Sequence, residues 1–142
     1  MEKFEQVFNI INGQAEKLEK QDMTYLDGVL ATLEDTLDGA FEWQVEGATK
    51  EDMRKAIQIA ILKGMRKNTQ PNHQMTPDTL GLLVSYFVEQ FYDKELANGT
   101  IAVADLALGT GNLLFTLMNA LEGKIDATGV EVDELLIRLA AA

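Results

Sequence analysis

The sequence predicts an α/β chain: a helical amino-terminal region over residues 1–68, then the first βαβ part of an open sheet over residues 69–142. Three observations predict it. Apolar residues recur at helical spacing through most of the first 67 residues. A nearly continuous apolar run, Ile101 to Leu108, ends in the glycine turn Gly109-Thr110-Gly111. One helix later a second short apolar segment, Ala127 to Val132, carries an acid, Glu131, at its tip.

The elements follow in order. Residues 3–20 place Phe4, Val7, Phe8, Ile11, Ala15 and Leu18 on one helical face. Residues 24–43 repeat the pattern with Leu26, Val29, Leu30, Leu33, Leu37, Ala40 and Phe41, on a segment rich in acids. Thr49 stands as an N-cap with Asp52 in the capping-box position. The third helix then turns Met53, Ala56, Ile57, Ala60, Ile61 and Met65 inward. It carries Lys50, Arg54, Lys55, Lys63, Arg66 and Lys67, half of the 12 basic residues. Pairing with the acidic helix before it explains them as well as a nucleic-acid patch would. Residues 68–72 are turn-rich and mark the regional boundary. Thr76 as N-cap and Pro77 at the first helical position open a fourth helix. Its predicted buried stripe is Leu80, Leu83, Val84, Phe87, Val88 and Phe91. The run from Ile101 suits a strand buried on both faces. Asn112 to Leu121 is helical, and a last helix begins at Glu134.

Composition narrows the function classes. A hydrophobic fraction of 46% is that of a folded protein. With no cysteine and one histidine, neither a disulfide framework nor a thiolate or histidine-rich metal site is possible, and no metal is expected. The charged start Met1-Glu2-Lys3-Phe4-Glu5 is unlike a secretion signal, and no apolar run approaches the length of a bilayer span. A cytoplasmic protein without membrane contact is the expectation. The net charge is −11: residues 1–70 hold 13 acids and 9 bases, residues 71–142 hold 10 acids and 3 bases. Such a surface repels phosphate backbones. Any contact with nucleic acid is therefore local or lies beyond this acidic chain.

The glycine turn carries the chemistry. Gly109 and Gly111 let the backbone approach a ligand closely. The turn's amides and the helix start at Asn112 offer donors and partial positive charge. Glu131 can accept both hydroxyls of a ribose, and Asp105 can orient the turn or take a cationic amine. Strand, turn, helix, second strand and an acid about 20 residues past the turn match the dinucleotide pattern. The third glycine of that pattern is missing from Gly109-Thr110-Gly111-Asn112-Leu113-Leu114, which weakens a dinucleotide such as NAD. S-adenosylmethionine, which has no pyrophosphate, fits better.

The segment Asp105 to Leu114 resembles the S-adenosylmethionine-binding motif of N6-adenine-specific DNA methyltransferases, written D-P-A-x-G-T-G. Asn72-His73-Gln74-Met75-Thr76-Pro77 resembles the motif that precedes it, and Gly129-Val130-Glu131-Val132-Asp133 resembles the ribose-binding motif. More narrowly, the helical region and the N-H-Q-M-T-P-D string resemble a YtxK-like group in Gram-positive bacteria. The resemblance implies a Rossmann-like methyltransferase domain. It implies Thr76 on the methionine carboxylate and Asp105, Gly109 and Gly111 along the methionine side. Ala107 and Asn112 join the implied pocket, and Glu131 takes the ribose. Met75 stands where many members have Tyr, and Leu106 replaces the usual Pro.

The family's catalytic motif, Asn or Asp-Pro-Pro-Tyr or Phe, is absent: Pro71 and Pro77 are the only prolines. No catalytic residue is therefore assigned. The chain is expected to be the truncated, inactive amino-terminal part of an enzyme that methylates an exocyclic amine. The uncapped end Leu139-Ala140-Ala141-Ala142 agrees with that expectation. The competing reading is a non-catalytic helical interaction module on a methyltransferase-like fold. Homo-oligomers through the helical region or exposed strand edges are expected in either case. His73 reads as a hydrogen-bonding loop residue, Trp43 as a packing residue, and the six Met as core filler.

Overall fold

The computed structural model describes residues 1–71 and 73–142. Asn72, first residue of the motif that runs to Pro77, lies outside the described residues. The chain divides into two compact units: Met1–Gln74, with Ala141–Ala142 of the carboxyl terminus, and Met75–Ala140.

The first unit is three helices, α1 (Lys3–Glu19), α2 (Tyr25–Leu37) and α3 (Lys50–Lys67), each packed on the other two. Val7, Ile11 and Ala15 of α1 are fully buried with Val29 of α2 and Ala56, Ala60 and Ile61 of α3. Glycine sets the closeness of the helices. A Cβ on Gly28 would stand 2.8 Å from the Ala15 carbonyl oxygen, and one on Gly64 would stand 3.0 Å from Leu26. Thr49 and Asp52 form the expected capping box: the Asp52 amide donates to the Thr49 hydroxyl at 3.1 Å, and the Thr49 amide to the Asp52 carboxylate at 2.9 Å.

Three details differ from the sequence reading. Helix α2 ends at Leu37, because Gly39 turns left-handed (φ +75°) and the Ala40 and Phe41 amides both return to the Asp35 carbonyl. Trp43 follows that turn and donates its indole N–H to the Thr36 hydroxyl at 3.0 Å. Helix α3 leaves Met53 and Ile57 only half-buried, whereas Arg54 is buried and paired with Glu51 at 2.6 Å. Lys63 and Lys67 pair with Glu16 and Glu19 of α1, at 2.7 and 2.9 Å, rather than with the acidic α2. Both ammonium groups also lie about 5 Å from the centre of the buried Tyr25 ring, a cation–π arrangement. The Lys63 contact holds the Glu16 carboxyl below its usual range. Burial, helped by the charges of Glu16 and Glu19, pushes the Tyr25 phenol up to about 12.

The second unit contains α4 (Asp78–Phe91), α5 (Asp93–Asn98), β1 (Ile101–Asp105), α6 (Asn112–Ala120), β2 (Ile125–Gly129) and all but the last residue of α7 (Glu134–Ala141). The strands are parallel, with Ile101 opposite Ile125 and Asp105 opposite Gly129, and α6 connects them. The βαβ expectation holds. Leu96, Leu117, Leu121 and Ile125 form the core, with Val88, Val103, Met118 and Ala127 against it.

The strands are not buried on both faces. Along β1, Ile101, Val103 and Asp105 are half-buried while Ala102 and Ala104 are exposed, so among the described residues one sheet face is covered. Strand β2 begins two residues earlier than expected and ends before Glu131. The larger correction concerns α4. This helix meets α6 at Gly81, where a Cβ would stand 3.0 Å from Thr116, and Ser85, one turn on, is buried as well. Small residues permit that approach and turn the helix, leaving Leu80, Leu83 and Phe87 about half exposed and Phe91 76% exposed. Val84 and Val88 alone of the predicted stripe are partly covered. No described helix is long and apolar enough to cross a membrane.

Candidate functional site

The candidate site lies at the carboxyl ends of β1 and β2, where open parallel sheets present ligands. Backbone pairing continues past the strands: the Val130 amide donates to the Asp105 carbonyl at 2.8 Å, and the Leu108 amide to the Val130 carbonyl at 2.9 Å. That continuation brings the glycine turn beside the segment that carries Glu131. The Asp105 carboxylate accepts from the Ala107 amide at 3.1 Å, so of its two expected roles the turn-orienting one is visible. Gly109 and Gly111 adopt φ of +60° and +83°, left-handed values that suit glycine. A Cβ on Gly111 would also fall 2.4 Å from the Phe115 ring. Ala107 is exposed on the turn, and Gly111 is buried beneath it.

Glu131 is half-buried and ties the two loops together. Its carboxylate accepts from the Gly109 amide at 2.7 Å, the Val132 amide at 2.8 Å and the Asp133 amide at 3.0 Å. The Asp133 amide, then that of Gly109, with a smaller part from Val132, holds its carboxyl below the ordinary range. Desolvation and the Asp133 charge oppose this.

A second cluster forms at the start of α6. The Asn112 side-chain amide donates to the Thr76 carbonyl at 2.7 Å and to the Asp78 carboxylate at 2.9 Å. Asn112 is 4% exposed, so both bonds are well sheltered. Helix α4 starts one residue later than expected. Pro77, not Thr76, is its N-cap, and the Pro77 carbonyl accepts from the Leu80 and Gly81 amides. Thr76 is thereby freed from capping and held against α6 through its backbone.

The structure thus joins Asp105 with Ala107, Gly109 with Glu131, and Thr76 with Asn112, while Gly111 links the turn to α6. Asp78 joins this cluster although the sequence around it does not single it out. Its only signal was an acid in the first turn of a helix, a common position with no mark of a partner 34 residues away.

This βαβ unit, with its glycine turn and acid, has the fold of class I S-adenosylmethionine-dependent methyltransferases. A crystal structure from Listeria monocytogenes assigned to that class is 34% identical, with a TM-score of 0.84, over 97% of this chain and 48% of that one. The uncharacterized protein YtxK of Bacillus subtilis is 49% identical over 94 residues, 65% of this chain and 27% of that protein. The chain therefore spans about half the length of the first and about a quarter of the second. No protein-family profile matches it.

Proposed function

We propose that this chain is the cofactor-binding part of a methyltransferase that transfers a methyl group to the exocyclic amine of adenine in DNA. One observation carries the reading: the left-handed glycine turn and the Glu131 carboxylate meet at the carboxyl ends of a parallel strand pair. The residues suit S-adenosylmethionine. Glycines at Gly109 and Gly111 leave the backbone open to close approach, and the turn precedes a helix start. Glu131 is anionic, as a ribose contact requires, and the remaining oxygen of Asp105 suits the ammonium group. Thr76, fixed beside the α6 start by Asn112, suits the carboxylate. When bound, the cofactor supplies a methyl group on a sulfonium centre; the chain's residues bind and orient it.

The choice of DNA adenine rests on the resemblance of the Asp105, Thr76 and Glu131 segments to that family. The Asn or Asp-Pro-Pro-Tyr or Phe motif of that family does not occur among these 142 residues, so cofactor binding alone is assigned to them. The acidic balance of the chain agrees with a DNA contact made elsewhere. Calorimetric titration tests the reading. S-adenosylmethionine binds the wild-type chain, and Glu131→Ala weakens binding at least about tenfold, the loss of a hydrogen bond to a charged group. NADH gives no heat. Equal affinity in wild type and variant removes the ribose assignment.

A second reading, an interaction module on a methyltransferase-like platform, is favoured by the exposed apolar stripe of α4, since contiguous apolar surface marks contact sites.

A further inference from the structure

We propose that Glu131 is first a strut of the glycine turn, holding the Gly109 amide across the two loops without any ligand, and that it offers a bound ribose one acceptor position rather than two.

The count of acceptors carries the argument. A carboxylate has about four lone-pair positions, two on each oxygen. Oε1 of Glu131 accepts from both the Val132 and Asp133 amides, which fills it. Oε2 accepts from the Gly109 amide at 2.7 Å, which fills half of it. One position on Oε2 remains. While these three bonds stand, a second ribose hydroxyl has no acceptor position. It would have to displace an amide, either that of the exposed Val132, which water can then take, or one of the part-buried pair from Gly109 and Asp133.

The Gly109 bond also does what the neighbouring backbone does not. Among the described residues the backbone ladder past the strands runs as far as Leu108 and Val130. Gly109 follows with a left-handed φ of +60° and turns its amide out of the ladder, where the Glu131 carboxylate receives it. The contact spans 22 residues of sequence and joins the β1 loop to the β2 loop. It fixes one of the amides that frame the turn. Glu131 is accordingly a positioning residue for the turn as well as a ligand contact. The second half of the proposal rests on the S-adenosylmethionine reading; the first half does not.

The experiment has two arms. In the first, ¹⁵N-labelled protein is studied without ligand. Glu131→Ala speeds hydrogen exchange of the Gly109 amide at least about tenfold and moves its proton resonance upfield, while Leu108 and Val130 amides stay as they are. Glu131→Gln, which keeps the shape and one carbonyl oxygen, gives a smaller change of the same sign. Gly109 exchange and shift unchanged in both variants overturn the strut. If Glu131→Ala disturbs amides throughout the unit, Glu131→Gln alone decides.

In the second arm, S-adenosylhomocysteine and its 2′-deoxy and 3′-deoxy forms are titrated into wild-type protein. One deoxy form loses about tenfold or more in affinity and the other less than about threefold. Equal large losses for both overturn the single-acceptor claim. Should S-adenosylhomocysteine itself not bind, the cofactor reading and the single-acceptor claim fall together, and the Gly109 result still decides the strut.

Discussion

The two units use similar amounts of apolar sequence to different ends. In the helical unit the apolar stripes of α1, α2 and α3 face one another and close: Val7, Ile11, Val29 and Ile61 lose all exposure. In the α/β unit, α4 carries an equally regular stripe, yet Leu80, Leu83, Phe87 and Phe91 stay open while Gly81, Ser85 and Val88 face inward. Helical spacing thus states that an apolar face exists, not what it rests on. The partner is chosen by how closely two backbones can approach, and at the α4–α6 contact the small residues allow the closest approach.

The comparison can be broken at either end. The largest expected effect is Ile61→Ala, which opens a cavity in the closed core and costs about 2–5 kcal/mol in chemical denaturation. A cost under about 1 kcal/mol means the core is looser than its burial shows. Gly28→Ala comes next. Its added methyl meets the Ala15 carbonyl oxygen, part of a backbone that cannot swing aside, and overpacking of this kind costs about 1–3 kcal/mol. Neutrality there would show that α1 and α2 can slide apart freely. The smallest effect is Phe91→Ser on the open face, within about 0.5 kcal/mol of wild type. A loss as large as that at Ile61, with a sedimentation coefficient that falls in the variant, would show a second molecule covering α4.

Much of this was legible in the sequence, and the parts that were not share a cause. Thr49 with Asp52, the inward faces of α1 and α2, and the strand–turn–helix around Gly109 are local patterns, with every determinant within a few residues. The end of α2 was missed because Leu37, Ala40 and Phe41 keep the helical period although Gly39 breaks the backbone. The order of β2 slipped because Ala127 to Val132 and Ile125 to Gly129 are both acceptable short strands; pairing with Ile101 selects the second. At the candidate site the residue types were visible but not their bonds. Nothing near Glu131 in sequence announces Gly109, and nothing near Asn112 announces Thr76 or Asp78. The first contact comes from the parallel pairing of β1 with β2, the second from the packing of α4 on α6.

Trp43, hydrogen-bonded to Thr36, has a use beyond packing. It is the chain's single tryptophan, and it sits in the helical unit. Intrinsic fluorescence excited at the indole band therefore watches that unit alone, whereas far-ultraviolet circular dichroism sums both. Melting the protein under the two signals in parallel gives each unit its own curve without a label, and any gap between the curves measures how independently the two halves of the chain come apart.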